Sequence, residues 1–483
     1  MILLLLIFIP FIAGVPVWIA GKKDSTVSRI ITILALSCGL VISLWKLIPA
    51  NGSAAPMSFG ISWIPQLGIG LNLTADGLSL VLLVLTYFIS LLAVLTTNGY
   101  NQPGFYYFNI LWCVSGISGV FLSSDLFLFY FFWELMIVPM YFLISVWGSG
   151  NHVRASYKFF IYTQAGGLLM LLSIVALYLV HGNEAGTYTF NLYDLAGTRM
   201  PLTVEILIMS GFLAAFLVKL PAFLFHTWLP DAYTAAPTGG TIILSCLMSK
   251  TAAYGLLKLA LPLFPQASAA FAPYAMAIGV LGILYGAKLA FSQTDFKRLI
   301  SWTSLSHMGF IIIGIYSFNE LAYNGVIMQM LTHALSTCAM FVIAGQLFIR
   351  LNTRDITKMG GLWSDMPRLG AMGMIFSMAL LGLPGLGNFI AEFLTLAGAF
   401  RASILFTSAA CLGLILSTVY SLRIMQKIFF GRQVSERSLR DLTTGELLIL
   451  WSLVIAVVLT GLFPQLIIDI AGSSLQNSAL WIR

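Results

Sequence analysis

About fourteen largely apolar stretches, each roughly 17–27 residues long, follow one another through this 483-residue chain. A helix of that length crosses the ~30 Å hydrocarbon core of a bilayer. Lipid offers no partner to backbone N–H and C=O groups, so runs this long can be accommodated there only as helices. They fall near residues 2–20, 28–48, 77–97, 105–122, 124–147, 155–181, 204–232, 240–262, 272–291, 297–317, 322–349, 370–400, 402–430 and 446–470. Hydrophobic residues make up 59% of the chain and charged residues only 8%, where a soluble domain carries about 25% charged. The expected fold is an all-α polytopic membrane protein of about 14 transmembrane helices.

The net charge of +7 could point to nucleic acid, but its distribution points to orientation. Loops after the first, fifth, ninth, eleventh and thirteenth runs hold 17 of the 24 Lys and Arg residues. These are Lys22, Lys23, Arg29; Arg154, Lys158; Lys288, Lys297, Arg298; Arg350, Arg354, Lys358, Arg368; and Arg423, Lys427, Arg432, Arg437, Arg440. The opposite side receives Lys46, Arg199, Arg401 and Arg483, with the acidic loop of Glu184 and Asp194. Basic loops stay inside, so the odd loops are expected in the cytoplasm and both termini outside. The first run begins at Met1 without a basic leader or a clean small-residue cleavage motif, so it reads as a retained helix. Cys38, Cys113, Cys246, Cys338 and Cys411 stand singly in apolar runs. No CxxC, CxxCH or His/Cys cluster occurs, which argues against zinc, haem and iron–sulfur sites. No glycine-rich nucleotide loop follows a strand pattern. Energy therefore comes from another chain or from an ion gradient.

A faint repeat divides the chain. SSDLFLFYFFWEL in run 5 aligns with QTDFKRLISWTSL in run 10, setting Asp125 against Asp295. Thr163-Gln164-Ala165 aligns with Thr332-His333-Ala334, and the Lys219-Leu220-Pro221 interruption of run 7 with Gly382-Leu383-Pro384 of run 12. Runs 4–8 thus correspond to runs 9–13. Five is an odd number, so the second copy enters the membrane from the other side: two inverted five-helix repeats, each with a broken helix, as in ion-transport folds. The expected segments are 1–103 (helices 1–3), 104–265 (first repeat), 266–431 (second repeat) and 432–483 (helix 14 and tail).

Ionisable groups at membrane depth are functional candidates, because each lysine there costs at least ~2.5–3.5 kcal/mol. Six stand out: Glu134 in run 5, Lys219 at the run 7 break, Lys250 in run 8, His307 in run 10, His333 in run 11 and Glu392 two turns past the run 12 break. Their order of acid, base, base, imidazole, imidazole, acid suits a proton relay. Free lysine holds its proton up to about 10.4, and bringing a lysine to about 7.5 takes roughly 4 kcal/mol, within reach of desolvation plus one charged neighbour. A change in the Glu134–Lys219 distance would then switch proton affinity. Histidine titrates near neutrality and suits connecting positions, while broken helices admit water and unpaired backbone groups to the midplane. Each residue also has a structural alternative. Glu134 and Lys219 could be mutual partners, Lys250 could snorkel, the histidines could bond between helices, and Glu392 could be a packing carboxylate. His226, Asp231 and Lys258 lie near helix ends, where capping or anchoring is expected, and Asp125 and Asp295 are expected N-caps.

Several segments together carry a resemblance over nearly the whole length. They are LTADGLSL, FLFYFFWELMIVPMYFLI, KFFIYTQAGGLLML, VKLPAFLFHTWLPDAYTAAPTGG, SKTAAYGLL, TDFKRLISWTSLSHMGF, TRDITKMGGLW and LPGLGNFIAEF. The chain resembles the M-chain family of bacterial proton-translocating NADH:quinone oxidoreductase (respiratory complex I), relatives of mitochondrial chain 4. The resemblance implies fourteen transmembrane helices in the membrane arm of an inner-membrane complex. It implies pumping residues at Glu134, Lys219, Lys250 and Glu392, with His307 and His333 on the connecting axis. No redox cofactor is implied on this chain; NAD, FMN, iron–sulfur clusters and quinone belong to partner chains. The partners implied are flanking antiporter-like chains and, remotely, the peripheral arm. A second class stays open at this point, a subunit of a multi-subunit cation/proton antiporter without redox coupling.

Overall fold

A computed structural model describes residues 1–47, 57–97, 102–432 and 439–476, with side chains as far as residue 472. Arg437 and Arg483 of the loop count lie outside the described residues. The membrane helices are α1 (Ile2–Ala20), α2 (Ser25–Leu47), α3 (Gly77–Leu95), α4 (Gly104–Leu122), α5 (Leu126–Trp147), α6 (His152–Ala185), α7 (Leu202–Lys219, resuming as Leu229–Ala235) and α8 (Thr238–Leu263). They continue as α9 (Pro265–Ser292), α10 (Phe296–Ile315), α11 (Glu320–Leu351), α12 (Pro367–Leu381, resuming as Gly387–Ala402), α13 (Ile404–Phe429) and α14 (Thr444–Leu462). Among the described residues, thirteen helices are long and apolar enough to cross a membrane, and Pro367–Leu381 of the broken α12 is a shorter apolar helix.

Two features depart from the expected all-helical layout. Residues Met57–Ile64 (β1) and Ile69–Ala75 (β2) form an antiparallel hairpin ahead of α3, where only a loop between runs was expected. Gly68, at φ 67°, turns the chain in the left-handed region that glycine tolerates. The last run, expected to be one helix over 446–470, is interrupted at Phe463–Pro464, after which α15 (Pro464–Gln476) begins. Proline drives the preceding residue out of the helical region, and Phe463 sits at φ −126°, ψ 52°.

Both expected caps form. Asp125 accepts from the backbone N–H groups of Phe127 and Leu128, and Asp295 from that of Arg298. The surroundings of the two aspartates also match. Leu126 N–H donates to Phe190 O and Leu192 N–H to Ser124 O; in the other half Phe296 N–H donates to Arg354 O and Ile356 N–H to Thr294 O. Each half thus ties the start of one helix to the chain leaving the next by the same two-bond bridge. Asp125 also accepts from Gly70 N–H, which fastens the hairpin to α5.

Backbone groups freed inside the membrane are repaired from neighbouring helices. Pro10 in α1 has no N–H to give Leu6 O, four residues back, and the Tyr87 hydroxyl of α3 donates to that carbonyl. Ser115 Oγ of α4 donates to Ile7 O at 2.8 Å. Inward of this outer packing, α11 is buried along its whole membrane window, although it carries Gln329, Thr332, His333, Ser336 and Thr337. Polar side chains are concentrated where lipid cannot reach.

Candidate functional site

The break in α7 follows from Pro221, which has no N–H to give Leu217 O: Ala222 N–H donates there instead, the regular helix closes at Lys219, and a non-helical stretch runs to Leu229. Leu224 in that stretch takes φ 81°, a left-handed conformation costly for leucine. Lys219, the last helical residue, is thereby held at the break, 2% exposed. Its ammonium lies over the Trp133 ring, 4.2 Å from the centroid, and has no protein hydrogen-bond acceptor. A desolvated cation on an indole face gains about 2 kcal/mol, far short of full solvation.

Glu134, next to Trp133 on α5, is within electrostatic range of Lys219 and beside Gln164 of α6. It forms no ion pair with Lys219 inside 4.0 Å. Gly167, one turn beyond Gln164, leaves the space that the carboxylate fills: a Cβ there would meet Glu134 Oε1 at 2.1 Å. Only the end of a flexible side chain must yield, so Gly167→Ala is expected to assemble normally while displacing Glu134. The expected cost is a several-fold loss of quinone-linked proton translocation, roughly 1 kcal/mol, with NADH–ferricyanide activity unchanged. Wild-type translocation would show that the position of Glu134 does not matter.

In α8 the five residues Leu244–Met248 are wound as a π-turn, a form associated with functional positions. Lys250 comes two residues after this turn, fully buried, and its Nζ donates to Ser245 O at 3.0 Å and Ser249 Oγ at 3.2 Å. It also reaches His333 Nδ1 of α11 at 2.8 Å. His333 Nε2 is 3.3 Å from Thr337 Oγ1, one turn on. A protonated Lys250 donating to Nδ1 leaves His333 with its proton on Nε2, facing Thr337.

The His307 ring stands edge-on to His333 with 5.5 Å between centroids. Its Nδ1 lies 3.0 Å from Glu392 Oε1, an ion-pair contact rather than an aligned hydrogen bond. Its Nε2 lies 3.3 Å from the Tyr420 hydroxyl of α13, and the Gln329 amide is 3.4 Å from Nδ1. With its proton on Nδ1 the ring faces the carboxylate and Nε2 accepts from Tyr420; with its proton on Nε2 the ring donates to Tyr420 and Nδ1 accepts from the Gln329 amide. The α12 break positions Glu392: Gly382, at φ 77°, and Gly385, at φ 95°, make the turn, and Glu392 Oε2 packs so close to Gly382 that a Cβ there would be 2.9 Å away. Asn388, one turn before Glu392, ties this half-helix to α11 by donating to Ser336 Oγ at 3.2 Å.

Lys250 with His333 and His307 with Glu392 are thus brought into contact, and the two pairs adjoin. Glu134 and Lys219 are neighbours without contact. No side-chain hydrogen bond links Lys219 to Lys250 among the described residues. Cys113, within electrostatic range of Lys219, lies 3.9 Å from Met248, two residues before Lys250.

The remaining candidates are anchored near helix ends. Asp231 pairs with Lys158 at 2.8 Å and Arg298 at 3.1 Å, and Lys258 pairs with Asp76. Lys297, expected to be a loop charge, is instead buried and donates to Ala236 O, a terminal helix carbonyl with no partner in its own helix. Near it a polar cleft of about 500 Å³ opens among Arg154, Asp231, Asp295, Arg298 and Arg354. Sequence reasoning also missed Trp133, Tyr420 and Gln329. Gln329 was accessible, because it lies four residues before His333 on the same helical face.

A bundle with two interrupted helices and an interior file of lysines, imidazoles and carboxylates defines a class of ion-translocating membrane protein. The family model described as NADH:quinone oxidoreductase/Mrp antiporter, TM, matches residues 123–418. NADH-quinone oxidoreductase subunit M of Pseudomonas aeruginosa is 46% identical over 499 residues, covering 100% of this chain and 98% of the relative. The subunit M of Escherichia coli K12 is 45% identical, with 100% and 98% covered. Among solved structures, a chain of respiratory complex I from Thermus thermophilus with bound NADH superposes with TM-score 0.91 at 28% identity, covering 100% of both chains. A chain of the Mrp complex from Dietzia sp. DQ12-45-1b gives TM-score 0.88 at 21% identity, covering 99% and 97%, and shares the fold. The chain belongs to the NADH-quinone oxidoreductase subunit M family.

Proposed function

We propose that this chain is a proton-translocating, antiporter-like subunit of the membrane arm of an NADH:quinone oxidoreductase. Flanking antiporter-like chains and the peripheral arm are its partners. NAD, FMN, iron–sulfur clusters and quinone are assigned to partner chains, and this chain contributes proton transfer. It sits in the bacterial inner membrane with the basic loops in the cytoplasm and both termini periplasmic. Residues 104–265 and 266–431 act as the two inverted repeats, each supplying one broken helix.

The observation that carries this reading is the contact sequence Lys250–His333–His307–Glu392 across α8, α11, α10 and α12. Donor and acceptor are 2.8 Å apart at its first step, within direct transfer range; at its last, His307 Nδ1 and Glu392 Oε1 are 3.0 Å apart and must align before a proton passes. A proton passed from Lys250 Nζ to His333 Nδ1 releases the one on Nε2. Crossing from there to His307 requires a bridging hydroxyl or water, and Thr337 Oγ1 stands at the start of that step, 3.3 Å from His333 Nε2. His307 then delivers to Glu392. The Glu134–Lys219 pair sets the entry: as a neighbouring chain perturbs Glu134, Lys219 gains or loses its counter-charge and its hold on a proton. The polar cleft beside Asp231 opens at the second half of α7, on the side of the basic loops.

Purification from native membranes in mild detergent, with a tag on this chain, tests the assignment. NADH oxidation by an artificial acceptor and bound iron are expected to co-purify. Small membrane partners alone, with sodium- or potassium-dependent proton exchange and no iron, would assign the chain to a cation/proton antiporter instead.

A further inference from the structure

An imidazole passes a proton on by taking one at one ring nitrogen and giving up the one on the other. His307 faces Glu392 Oε1 with Nδ1, at 3.0 Å, so its incoming proton arrives at Nε2. The neighbouring His333 ring does not supply it directly. His333 Nδ1 is bonded to Lys250 and its Nε2 lies beside Thr337, and the edge-on contact of the two rings holds no hydrogen bond among the described residues. The group at His307 Nε2 is the Tyr420 hydroxyl of α13, 3.3 Å away.

Tyr420 is fully buried. Its ring packs in a small cluster with Ala287 and Ala290 of α9 and Trp302 and Leu305 of α10, apart from the main core. A buried phenol needs a partner for its hydroxyl, and here that partner is the imidazole of the relay. Trp302 Nε1 in the same cluster and Ser421 Oγ, next in the chain, are buried without a protein hydrogen-bond partner. Both are groups that can hold a water against the phenol oxygen, which has lone pairs left to accept with.

Given the contact sequence Lys250–His333–His307–Glu392 as the route, we infer that the Tyr420 hydroxyl is a further proton-transfer group in it, the one through which His307 is loaded. Water carries the proton from the Thr337 end of the crossing to the phenol. As that water gives a proton to Tyr420 Oη, the hydroxyl proton moves onto His307 Nε2 and the Nδ1 proton leaves for Glu392 Oε1. One proton enters at the tyrosine, one ends on the carboxylate, and no electron moves. Free phenol titrates near 10 and free imidazole near 6.5, so a phenol that released its proton first would be left as a buried anion; gain and loss at Oη go together. His307 then holds its proton on Nε2, with Nδ1 accepting from the Gln329 amide at 3.4 Å. Return to the first tautomer resets the step.

The test uses the intact complex in proteoliposomes, with the initial rate of proton translocation read at equal NADH–ferricyanide activity. Tyr420→Phe removes the hydroxyl, keeps the ring, and is expected to lower translocation at least ~10-fold. Replacing Tyr420 by para-aminophenylalanine through nonsense suppression keeps the ring and a donor toward Nε2, but a neutral arylamine does not hand its proton on. That variant is expected to match Tyr420→Phe, and it supplies the rate if losing the hydrogen bond prevents Tyr420→Phe from assembling. His307→Phe is the reference, expected to lose translocation whether or not Tyr420 takes part. A wild-type rate in Tyr420→Phe beside a loss in His307→Phe would overturn the role of Tyr420 and leave the relay standing. Wild-type rates in both would overturn the relay and this role together. Recovery with para-aminophenylalanine would mean that the hydroxyl only braces His307, which also overturns the role.

Discussion

Lys219→Met is expected to lower NADH-driven proton translocation at least ~10-fold, with NADH–ferricyanide activity unchanged. The reason lies in what surrounds the ammonium: the Trp133 face at 4.2 Å, no protein hydrogen-bond acceptor, and Glu134 in range without an ion pair. Methionine is unbranched and apolar and fills the same channel in the packing, so the fold tolerates it. Removing a buried charge that has no direct partner relieves a desolvation cost rather than creating one. A loss of translocation in a normally assembled complex therefore reports the missing proton carrier. Quinone-linked NADH oxidation should fall with it, since the redox step on other chains is coupled to this one. Vesicles from the variant strain, assayed by fluorescence quench against ferricyanide reduction, give both readouts. Translocation at the wild-type rate would remove Lys219 from the route.

The second large effect is expected at His333. His333→Phe keeps an aromatic ring between α8 and α10 but removes both nitrogens. Lys250 then retains Ser245 O and Ser249 Oγ as acceptors and loses the only one that can take its proton onward. Proton transfer through a positioned side chain contributes typically 10²–10⁴-fold, so translocation is expected to fall by ~10²-fold or to the background. His333→Gln, which restores one hydrogen-bonding atom but cannot be protonated, is expected to behave like His333→Phe. Recovery in the glutamine variant would mean that His333 only bonds the helices together, the structural alternative for a buried histidine.

Much of this arrangement was legible in the sequence, and the reasons differ by element. Lipid leaves long apolar runs one solution, so helix number and order followed from run length. Proline beside lysine, and Gly-Leu-Pro ahead of Glu392, announced both breaks because each removes or redirects a backbone bond. Asp125 and Asp295 signalled caps by their place after Ser or Thr at the head of a run. The hairpin left a signal that went unused: Met57, Phe59, Ile61 and Trp63 alternate with Ser58, Gly60 and Ser62, the period of a half-exposed strand. Lys297 left none. Its neighbour Arg298 points to Asp231, whereas Lys297 turns inward to Ala236 O, and only the tertiary placement of that carbonyl decides which way each goes. The pairings inside the relay were likewise out of reach. Residue types named Lys250, His333, His307 and Glu392, but the contacts cross four helices, and Tyr420 joined them from a fifth.

Lys250→Arg offers the most direct test of whether protons pass through this chain. Arginine keeps the positive charge and can still donate toward His333, but it does not release a proton in proteins. The quantity to measure is the initial rate of proton translocation in reconstituted vesicles at equal NADH–ferricyanide activity. Transfer through Lys250 Nζ requires that rate to fall at least ~10-fold in the variant, although charge and packing are preserved. Translocation at the wild-type rate would mean that position 250 supplies only a fixed positive charge, and that no proton travels along Lys250, His333, His307 and Glu392.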